Sequence, residues 1–309
     1  MRKTVFQKHI ANPILTPDDF PAEVMYVLNP GAIRFKDEYI LICDAALGST
    51  KIVPWIARSK DGINFTPDPQ PVVWPEDDEK EFIAYDYRIT EIDGEYIIMY
   101  AAHYGKGNDP GIGVVKTSDF INFERIKQTP TPHPNRNAVL FPRKINGKYV
   151  RFDRPMPNGE VGSAGMCISY SEDLSNWTES KDLMFPRSGC WDSHKIGGAA
   201  IPLETDEGWL VLYHGVDNTS CNNYIYRLGI MLLDKENPEK ILCRSTMPVL
   251  WPDKIYEFIG RTPNVVFSCN MLCDENGHLR IYYGAADAVI ALAEGSLDEL
   301  LTFCKKYVE

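Results

Sequence analysis

A short motif occurs five times in this chain, and its spacing constrains the fold more than any other feature. Each copy is a turn, then an aromatic residue or leucine, then an apolar run, as in the segment of residues 93–99. We call the aromatic residue or leucine the anchor. The five anchors are Tyr39, Tyr96, Tyr149, Trp209 and Leu279, spaced by 57, 53, 60 and 70 positions. Short apolar runs separated by turns are typical of β-hairpins, so the sequence predicts an all-β fold.

A second motif lies between the anchors at residues 59–65, 117–123 and 171–177. Each copy has an aspartate in a turn and an aromatic residue four positions later, as expected of an outer hairpin. Five units of roughly sixty residues, each with about four strands, predict a five-bladed β-propeller that forms one domain over residues 1–309. A pair of β-sandwiches is the alternative, and the common register of the anchors argues against it. Residues 296–299 resemble a capping box and predict a short C-terminal helix packed on the propeller.

Composition excludes several classes of function. The 309 residues carry a formal net charge of −11 and contain no basic run, which argues against a nucleic-acid partner. No apolar run reaches membrane-spanning length, and residues 4–7 are too short for a signal-peptide core. The eight cysteines follow no disulfide framework, so we expect reduced thiols in a cytoplasmic protein. Cys190, His194, Cys269 and Cys273 lack the spacing of a zinc site, and no metal is expected.

Polar residues recur where the predicted strands would reach one end of the propeller channel. The first strand of each blade lines the channel of a propeller, and the second strand returns in the opposite direction. Residues that open the first strands or close the second strands should therefore meet at one mouth, although they lie far apart in the chain. They are Asn29, Asp44, Asp86, Arg136, Asn137, Arg154, Lys195, His214 and Asp287.

This predicted mouth contains two kinds of group. The basic members are Arg136, Arg154, Lys195 and His214. A cluster of cations without paired carboxylates suits an oxyanion such as phosphate, which guanidinium groups bind bidentately. The acidic members Asp44, Asp86 and Asp287 could bind sugar hydroxyls, and Asp86 could act as a proton donor.

Asp86 lies in residues 84–90, whose alternation predicts a strand with Asp86 and Arg88 on one face. A carboxylate on a largely buried strand is unfavourable unless something uses it. A structural ion pair between Asp86 and Arg88 and a functional carboxyl group are both open at this point.

Together these residues resemble glycoside hydrolase family 130, the inverting β-mannoside phosphorylases. The matching motifs are Asn29-Pro30-Gly31-Ala32, Ala57-Arg58-Ser59-Lys60-Asp61-Gly62, Tyr85-Asp86-Tyr87-Arg88-Ile89-Thr90, Arg136-Asn137-Ala138-Val139-Leu140-Phe141-Pro142, Asp153-Arg154-Pro155, His194-Lys195-Ile196-Gly197-Gly198, Tyr213-His214-Gly215, Tyr226-Arg227-Leu228-Gly229, Pro263-Asn264-Val265-Val266-Phe267 and Tyr282-Tyr283-Gly284-Ala285-Ala286-Asp287. They follow the family's order over nearly the whole chain. One difference is Tyr87, where the motif around the acid often has proline.

The resemblance implies a five-bladed propeller and a role for each group at the mouth. Asp86 would be the general acid and would pass its proton to the glycosidic oxygen through a hydroxyl of the bound mannose. The four basic residues would hold phosphate for attack on the anomeric carbon. The implied mannose contacts are Asn29, Arg58, Asn137 and Asp287, with Asp44 a further candidate. No cofactor is implied beyond phosphate as co-substrate, and analogy with the family suggests a homo-oligomer.

The chemistry agrees with this resemblance. An inverting hydrolase needs a second carboxylate about 6.5–9.5 Å from the acid, whereas a phosphorylase needs only to position an anionic nucleophile. The sequence therefore predicts phosphorolysis of β-mannosides to α-mannose 1-phosphate and a shortened acceptor sugar. An inverting β-mannosidase that uses Asp86 with Asp44 or Asp287 stays open, as does a carbohydrate-binding propeller without turnover. Both β-1,4 and β-1,2 linkages fit, and residues 47–55 and 218–226 are candidate walls of the acceptor site.

Overall fold

Five antiparallel sheets arranged as the blades of a propeller make up the structure. The computed structural model describes residues 4–48, 51–75, 81–104, 110–157, 165–219 and 223–308. Strand β1 (Gln7–Lys8) precedes the first blade in the sequence. The predicted all-β class and the predicted number of blades are both confirmed.

Each blade corresponds to one of the sequence repeats. Blade 1 contains β2 (Tyr26–Phe35), β3 (Glu38–Ala46), β4 (Ile52–Ser59) and β5 (Thr66–Pro67). Blade 2 contains β6 (Glu81–Ile92), β7 (Glu95–Tyr104), β8 (Pro110–Thr117) and β9 (Glu124–Arg125). Blade 3 contains β10 (Asn135–Leu140), β11 (Tyr149–Pro155), β12 (Met166–Ser171) and β13 (Lys181–Met184). Blade 4 contains β14 (Lys195–Gly198), β15 (Leu203–Thr205), β16 (Gly208–Asn218), β17 (Tyr224–Leu233) and β18 (Ile241–Arg244). Blade 5 contains β19 (Val266–Phe267), β20 (Leu272–Cys273), β21 (His278–Ala285) and β22 (Val289–Ser296).

The anchors lie at the start of the strand that runs antiparallel to the first strand of each blade and returns to the mouth. These strands are β3, β7, β11, β16 and β21. The turns before two of them show why the motif recurs. Asp93 and Asn146 have φ angles of 53° and 51°, and Gly94 and Gly147 follow them at 80° each. Two successive residues with positive φ form the tight hairpin turn that matches the twist of the flanking strands. The repeat is therefore a hairpin turn together with its returning strand.

The second motif closes the outer hairpin of blades 1 to 3, as predicted. In the first copy, Asp61 Oδ1 accepts hydrogen bonds from the backbone N–H groups of Ile63 and Asn64, both at 2.8 Å. Asp119 and Asp173 make the same bonds in the next two blades. Hydrogen bonds from the backbone and from an asparagine side chain lower the pKa of Asp119 and Asp173 to about 2.

The hydrophobic core is divided into clusters that lie between neighbouring blades. Phe35 of blade 1 packs edge-on against Tyr96 and Phe120 of blade 2, with ring centroids 5.5 Å and 5.1 Å apart. Phe141 of blade 3 and Trp209 of blade 4 are 5.1 Å apart in the same arrangement. Aromatic pairs of this geometry stabilise a core beyond the area that they bury. Each blade is therefore held by both of its neighbours.

The N-terminal strand closes the ring. Strand β1 pairs with β22 and forms the outermost strand of blade 5. Lys8 Nζ of this strand donates to Glu257 Oε2 and Asp253 Oδ1, both at 2.6 Å, and to the Trp251 carbonyl at 2.8 Å. Glu257 is fully buried and lies in a short 3-10 helix (Ile255–Glu257). The start of the chain is thereby tied to its last blade.

The predicted C-terminal helix is present as α1 (Leu297–Lys306), with Leu300, Leu301 and Cys304 buried against blades 4 and 5. Ser296 is its N-cap residue, but its hydroxyl makes no capping hydrogen bond, so the predicted capping box is wrong. The reason is that Ser296 is also the last residue of β22, where it pairs with His278. In the described part of the chain, no helix is long and apolar enough to cross a membrane.

Candidate active site

Three polar residues mark a β-bulge at the same place in the first strands of blades 1 to 3. Asn29, Asp86 and Asn137 have φ angles of 46°, 61° and 61°. The pairing register shifts around each of them, between Leu28 and Gly31, Tyr85 and Arg88, and Arg136 and Val139. Asparagine and aspartate tolerate the left-handed region better than other non-glycine residues, and bulges redirect side chains near sites. These bulges turn the three side chains into the channel mouth.

The bulge corrects the prediction of a regular strand around Asp86. Arg88 does not pair with the Asp86 carboxylate. Its guanidinium crosses the channel and donates to the carbonyls of Gly198 and Ala199 in blade 4, at 3.1 Å and 2.9 Å. A third bond, at 2.8 Å, goes to the backbone carbonyl of Asp86 itself. Of the two readings of this strand, the structural ion pair is therefore wrong.

A cavity of about 370 Å³ lies at the mouth and brings together eight of the ten predicted site residues. They are Asn29, Asp86, Arg136, Asn137, Arg154, Lys195, His214 and Asp287. Five blades contribute to it, so the fold places residues together that are separated by more than 250 positions in the chain. No local sequence requirement would bring them to one place.

The basic side chains form one wall of this cavity, which we call the cationic wall (Arg136, Arg154, Lys195 and His214). Burial and then the charge of Arg136 lower the pKa of Arg154 to about 9. Burial and then the charges of Arg154 and Arg136 lower the pKa of Lys195 to about 7. The pKa of His214 lies well below its usual value for the same reasons, burial first. His214 is therefore neutral in the empty site and contributes a hydrogen-bonding group rather than a charge, unlike the sequence prediction.

Two carboxyl groups, those of Asp86 and Asp287, line the same cavity. Asp86 is 6% exposed, and its Oδ1 accepts a hydrogen bond from Asn29 Nδ2 at 2.8 Å. Asp287 is half-buried, and the loss of hydration at its carboxyl group raises its pKa to about 6, although a hydrogen bond from Thr262 acts in the opposite direction. One carboxyl group thus faces the cavity with a fixed amide partner, and a second retains its proton more readily than an ordinary aspartate.

Two predicted contacts do not line the cavity. Asp44 is fully buried behind the backbone of Asp86, whose N–H donates to it. Arg58 lies on β4 six residues beyond Ile52, which does line the cavity, and this separation corresponds to roughly 20 Å along a strand. Its guanidinium pairs instead with Glu38 and Asp68, both at 3.0 Å. The structure therefore gives no support to direct mannose contacts by Asp44 or Arg58.

Sequence reasoning missed several lining residues, including Tyr85 within β6 and Tyr226 within β17. The Tyr85 hydroxyl accepts a hydrogen bond from Arg136 Nη1 at 3.1 Å and lies 3.2 Å from His103 Nε2. The Tyr226 ring stacks near His214, with centroids 6.4 Å apart, and lies 5.4 Å from Lys195 Nζ. A signal existed for both, because each tyrosine is part of a motif that carries the family resemblance.

The structure describes part of each of the two segments that are predicted to form walls of the acceptor site. Ile52 of the first segment lines the cavity. In the second segment, the Tyr224 ring lies 5.7 Å from Lys195 Nζ. Residues 49–50 and 220–222 of these segments lie outside the described residues. Across the described ranges, no group of three or more histidine, cysteine, aspartate or glutamate side chains is arranged to hold a metal ion.

Comparison with known proteins agrees with this geometry. A family model described as beta-1,4-mannooligosaccharide phosphorylase matches residues 7–306. A beta-1,4-mannooligosaccharide phosphorylase of Ruminococcus albus is 35% identical over 317 residues, which cover 99% of this chain and 92% of that protein. A beta-1,2-mannobiose phosphorylase of a Thermoanaerobacter species is 41% identical over 280 residues, which cover 89% of this chain and 88% of that protein.

A solved structure is also similar over the whole length. The beta-1,2-mannobiose phosphorylase of Listeria innocua, in complex with beta-1,2-mannobiose, has a TM-score of 0.87 at 28% sequence identity. The match covers 97% of this chain and 99% of that one. The propeller fold and the nearly full-length matches to named phosphorylases define a carbohydrate-active enzyme of the phosphorylase class. The chain belongs to glycoside hydrolase family 130, the family of the mannoside phosphorylases.

Proposed function

We propose that the protein is an inverting β-mannoside phosphorylase. It would convert a β-mannoside and inorganic phosphate into α-mannose 1-phosphate and a shortened acceptor sugar. The observation that carries this proposal is that the cationic wall and Asp86 line one cavity. The relatives reported above are named as phosphorylases of β-mannosides, which supports the substrate class.

The cationic wall supports an oxyanion as the nucleophile. Arg154 Nε and His214 Nδ1 are buried and have no hydrogen-bond partner among the described residues. Buried polar groups are nearly always paired in folded proteins, so these two atoms indicate a ligand. Arg154 Nε can only donate to it, whereas His214 Nδ1 donates or accepts according to its tautomer. Burial, and after it the repulsion between these groups, lowers the pKa of Arg154 and of Lys195, and a bound anion would offset both effects. Phosphate has the charge and the oxygen atoms that this wall lacks.

Asp86 is proposed as the general acid. Its proton would pass, through a mannose hydroxyl, to the glycosidic oxygen as the bond from that oxygen to the anomeric carbon breaks. A phosphate oxygen attacks the same carbon from the opposite face, so the configuration inverts and the acceptor leaves as an alcohol. The proton that phosphate loses restores the acid through solvent. Asn29 would orient the Asp86 carboxyl through its 2.8 Å hydrogen bond, and Asn137 and Asp287 would bind mannose hydroxyls.

Hydrolysis is the second candidate, because Asp287 provides another carboxyl group in the cavity. A water molecule activated by Asp287 would release free mannose. The cationic wall disfavours this reading, because a cluster of cations favours an anionic nucleophile over neutral water. The linkage stays open between β-1,4 and β-1,2, because relatives named for each are similarly close to this chain. We also propose that the enzyme needs no cofactor, forms a homo-oligomer and works in the cytosol, where the free cysteines of the described chain would stay reduced.

The test uses purified protein with β-1,4-mannobiose, β-1,2-mannobiose and mannosyl-glucose in separate reactions, each with and without phosphate. Mannose 1-phosphate that forms only with phosphate is expected, and the best substrate identifies the linkage. Arg154→Gln should raise the KM for phosphate by at least about tenfold, in line with the loss of a charged hydrogen bond. Arg143→Gln is the matched control, because Arg143 is a half-exposed arginine paired with Glu204 away from the cavity. Release of free mannose at the same rate without phosphate would overturn the proposal in favour of hydrolysis.

A further inference from the structure

Asp44 is a buried carboxyl group that the proposed reaction does not use. It lies near the end of β3, opposite Leu28, and none of its side-chain surface is exposed. Both of its carboxyl oxygens lie 3.1 Å from the backbone nitrogen of Asp86 and accept its N–H. Asp44 therefore contacts the backbone of the proposed acid and does not line the cavity.

The environment of Asp44 makes its burial unfavourable. Burial itself, and then the neighbouring carboxyl groups of Asp86 and Asp287, raise the pKa of Asp44 well above its usual value. The N–H of Asp86 and the charge of Arg88 act in the opposite direction. A neutral or apolar residue would occupy this position at a lower free energy. A buried carboxyl group loses its hydration, and the neighbouring carboxyl groups disfavour its charged form. The carboxyl group thus needs a reason other than packing.

Asp86 needs support because of its backbone conformation. Its φ of 61° lies in the left-handed region, and the residue sits in a bulge without the regular ladder. A residue in this region persists when its surroundings hold it there. Three contacts do so: the N–H of Asp86 binds Asp44, its carbonyl accepts from Arg88 Nη1, and its carboxylate accepts from Asn29 Nδ2. Of these three partners, Asp44 is the one that fixes the backbone nitrogen next to the acid side chain.

We propose that Asp44 is a positioning residue for the general acid: it holds the Asp86 backbone in the bulge so that the carboxyl group reaches the mannose hydroxyl that relays its proton. Asp44 does not touch the substrate. This inference rests on the proposed role of Asp86 and deepens it. It replaces the direct mannose contact that the sequence suggested for Asp44.

The test compares two substrates that differ in their need for an acid. A mannobiose must receive a proton on its leaving oxygen, whereas p-nitrophenyl β-mannoside, or β-mannosyl fluoride if the aryl group does not fit, has a leaving group that needs none. A displacement of about 1 Å at a catalytic group lowers rates about 100-fold. Asp44→Ala should therefore lower kcat on mannobiose about 100-fold and kcat on the activated mannoside less than about threefold. Asp44→Asn keeps one acceptor oxygen and should lie between wild type and Asp44→Ala.

Cys43→Ala provides the matched control. Cys43 precedes Asp44 on the same strand and is equally buried, but it packs on the other face among Leu15 and Trp55. This variant should change both rates by the same small factor, and the KM for phosphate should stay within about twofold of wild type in all three variants. If Asp44→Ala does not fold, the ratio of the two rates in Asp44→Asn carries the test.

Parallel losses on both substrates would mean that Asp44 only stabilises the fold and would overturn the inference. Unchanged kcat on mannobiose in Asp44→Ala would do the same. The proposed function is judged separately from the wild-type products. Free mannose in place of mannose 1-phosphate would overturn phosphorolysis, yet the two-substrate ratio would still test Asp44, because hydrolysis also needs the acid. A wild-type enzyme without either product would overturn both proposals.

Discussion

Lys195 should make phosphate binding depend on pH in a range where ordinary lysines stay charged. Burial and the charges of Arg154 and Arg136 lower its pKa to about 7 in the empty site. Lys195 is therefore charged below pH 7 and loses its charge above it. A phosphate anion favours the charged form, so above pH 7 part of the binding free energy is used to return the proton to Lys195.

The size of this effect follows from the pKa of about 7. At pH 6 nearly all molecules carry the charge, whereas at pH 8 only about one in eleven does, which corresponds to about 1.4 kcal/mol. The KM for phosphate should thus rise about tenfold between pH 6 and pH 8 through Lys195 alone. The pH range ends at 8 because Arg154, whose pKa is about 9, would also lose its charge at higher pH.

The assay measures the KM for phosphate from pH 6 to pH 8 in the wild type and in Lys195→Arg. An arginine keeps its charge throughout this range, and the ionisation of phosphate itself affects both enzymes equally. The ratio of the wild-type KM to the variant KM should rise about tenfold over the range. Lys195→Met should raise the KM at every pH. A ratio that stays constant from pH 6 to pH 8 would refute the reasoning, because Lys195 would then not titrate where its surroundings place it.

Three further predictions concern the fold, the anion and the acid. Lys8→Ala should lower the melting temperature by about 5–8 °C, since it leaves the buried Glu257 without its cation at a cost of about 3–5 kcal/mol. The control Lys60→Ala breaks an exposed ion pair with Asp37 and should change the melting temperature little. Equal shifts in the two variants would contradict the ring-closing role of Lys8. Phosphate or sulfate should raise the melting temperature in differential scanning fluorimetry because either anion binds only the folded cationic wall, and no shift at tens of millimolar would count against an oxyanion site. Asp86→Asn should lower kcat on mannobiose by about 10²–10⁴-fold while leaving the shift with phosphate intact, and a loss below tenfold would remove Asp86 from the acid role.

The repeat was enough to predict the fold because it is a physical unit. A propeller blade needs a turn, a returning strand and an outer hairpin, and each of these left a short pattern in the sequence. The five anchors, such as Tyr96 and Trp209, lie at equivalent strand starts. Once five blades surround one channel, equivalent strand ends must meet, and this geometry brought eight predicted residues to the cavity.

The prediction of the site was wrong in two situations. In one, the backbone departs from a regular strand, and in the other, a residue on the correct strand does not reach the cavity. The motif around Arg58 carries no information on its distance from the mouth, and Arg58 lies roughly 20 Å along β4 from Ile52. Asp44 is at the correct end of β3, but its side chain is fully buried and does not line the cavity. The left-handed conformation of Asp86 broke the alternation that would have paired it with Arg88. Asparagine or aspartate at one position in three blades was the sequence signal of this bulge.

The central claim is that phosphate, and not water, attacks the anomeric carbon. The most direct measurement runs the reaction with β-mannobiose and phosphate carrying oxygen-18 in all four positions, in ordinary water. The account predicts α-mannose 1-phosphate that retains all four labelled oxygens, including the one bonded to the anomeric carbon, as read by mass spectrometry and phosphorus NMR. Free mannose whose anomeric oxygen comes from water, or a β-configured product, would contradict it.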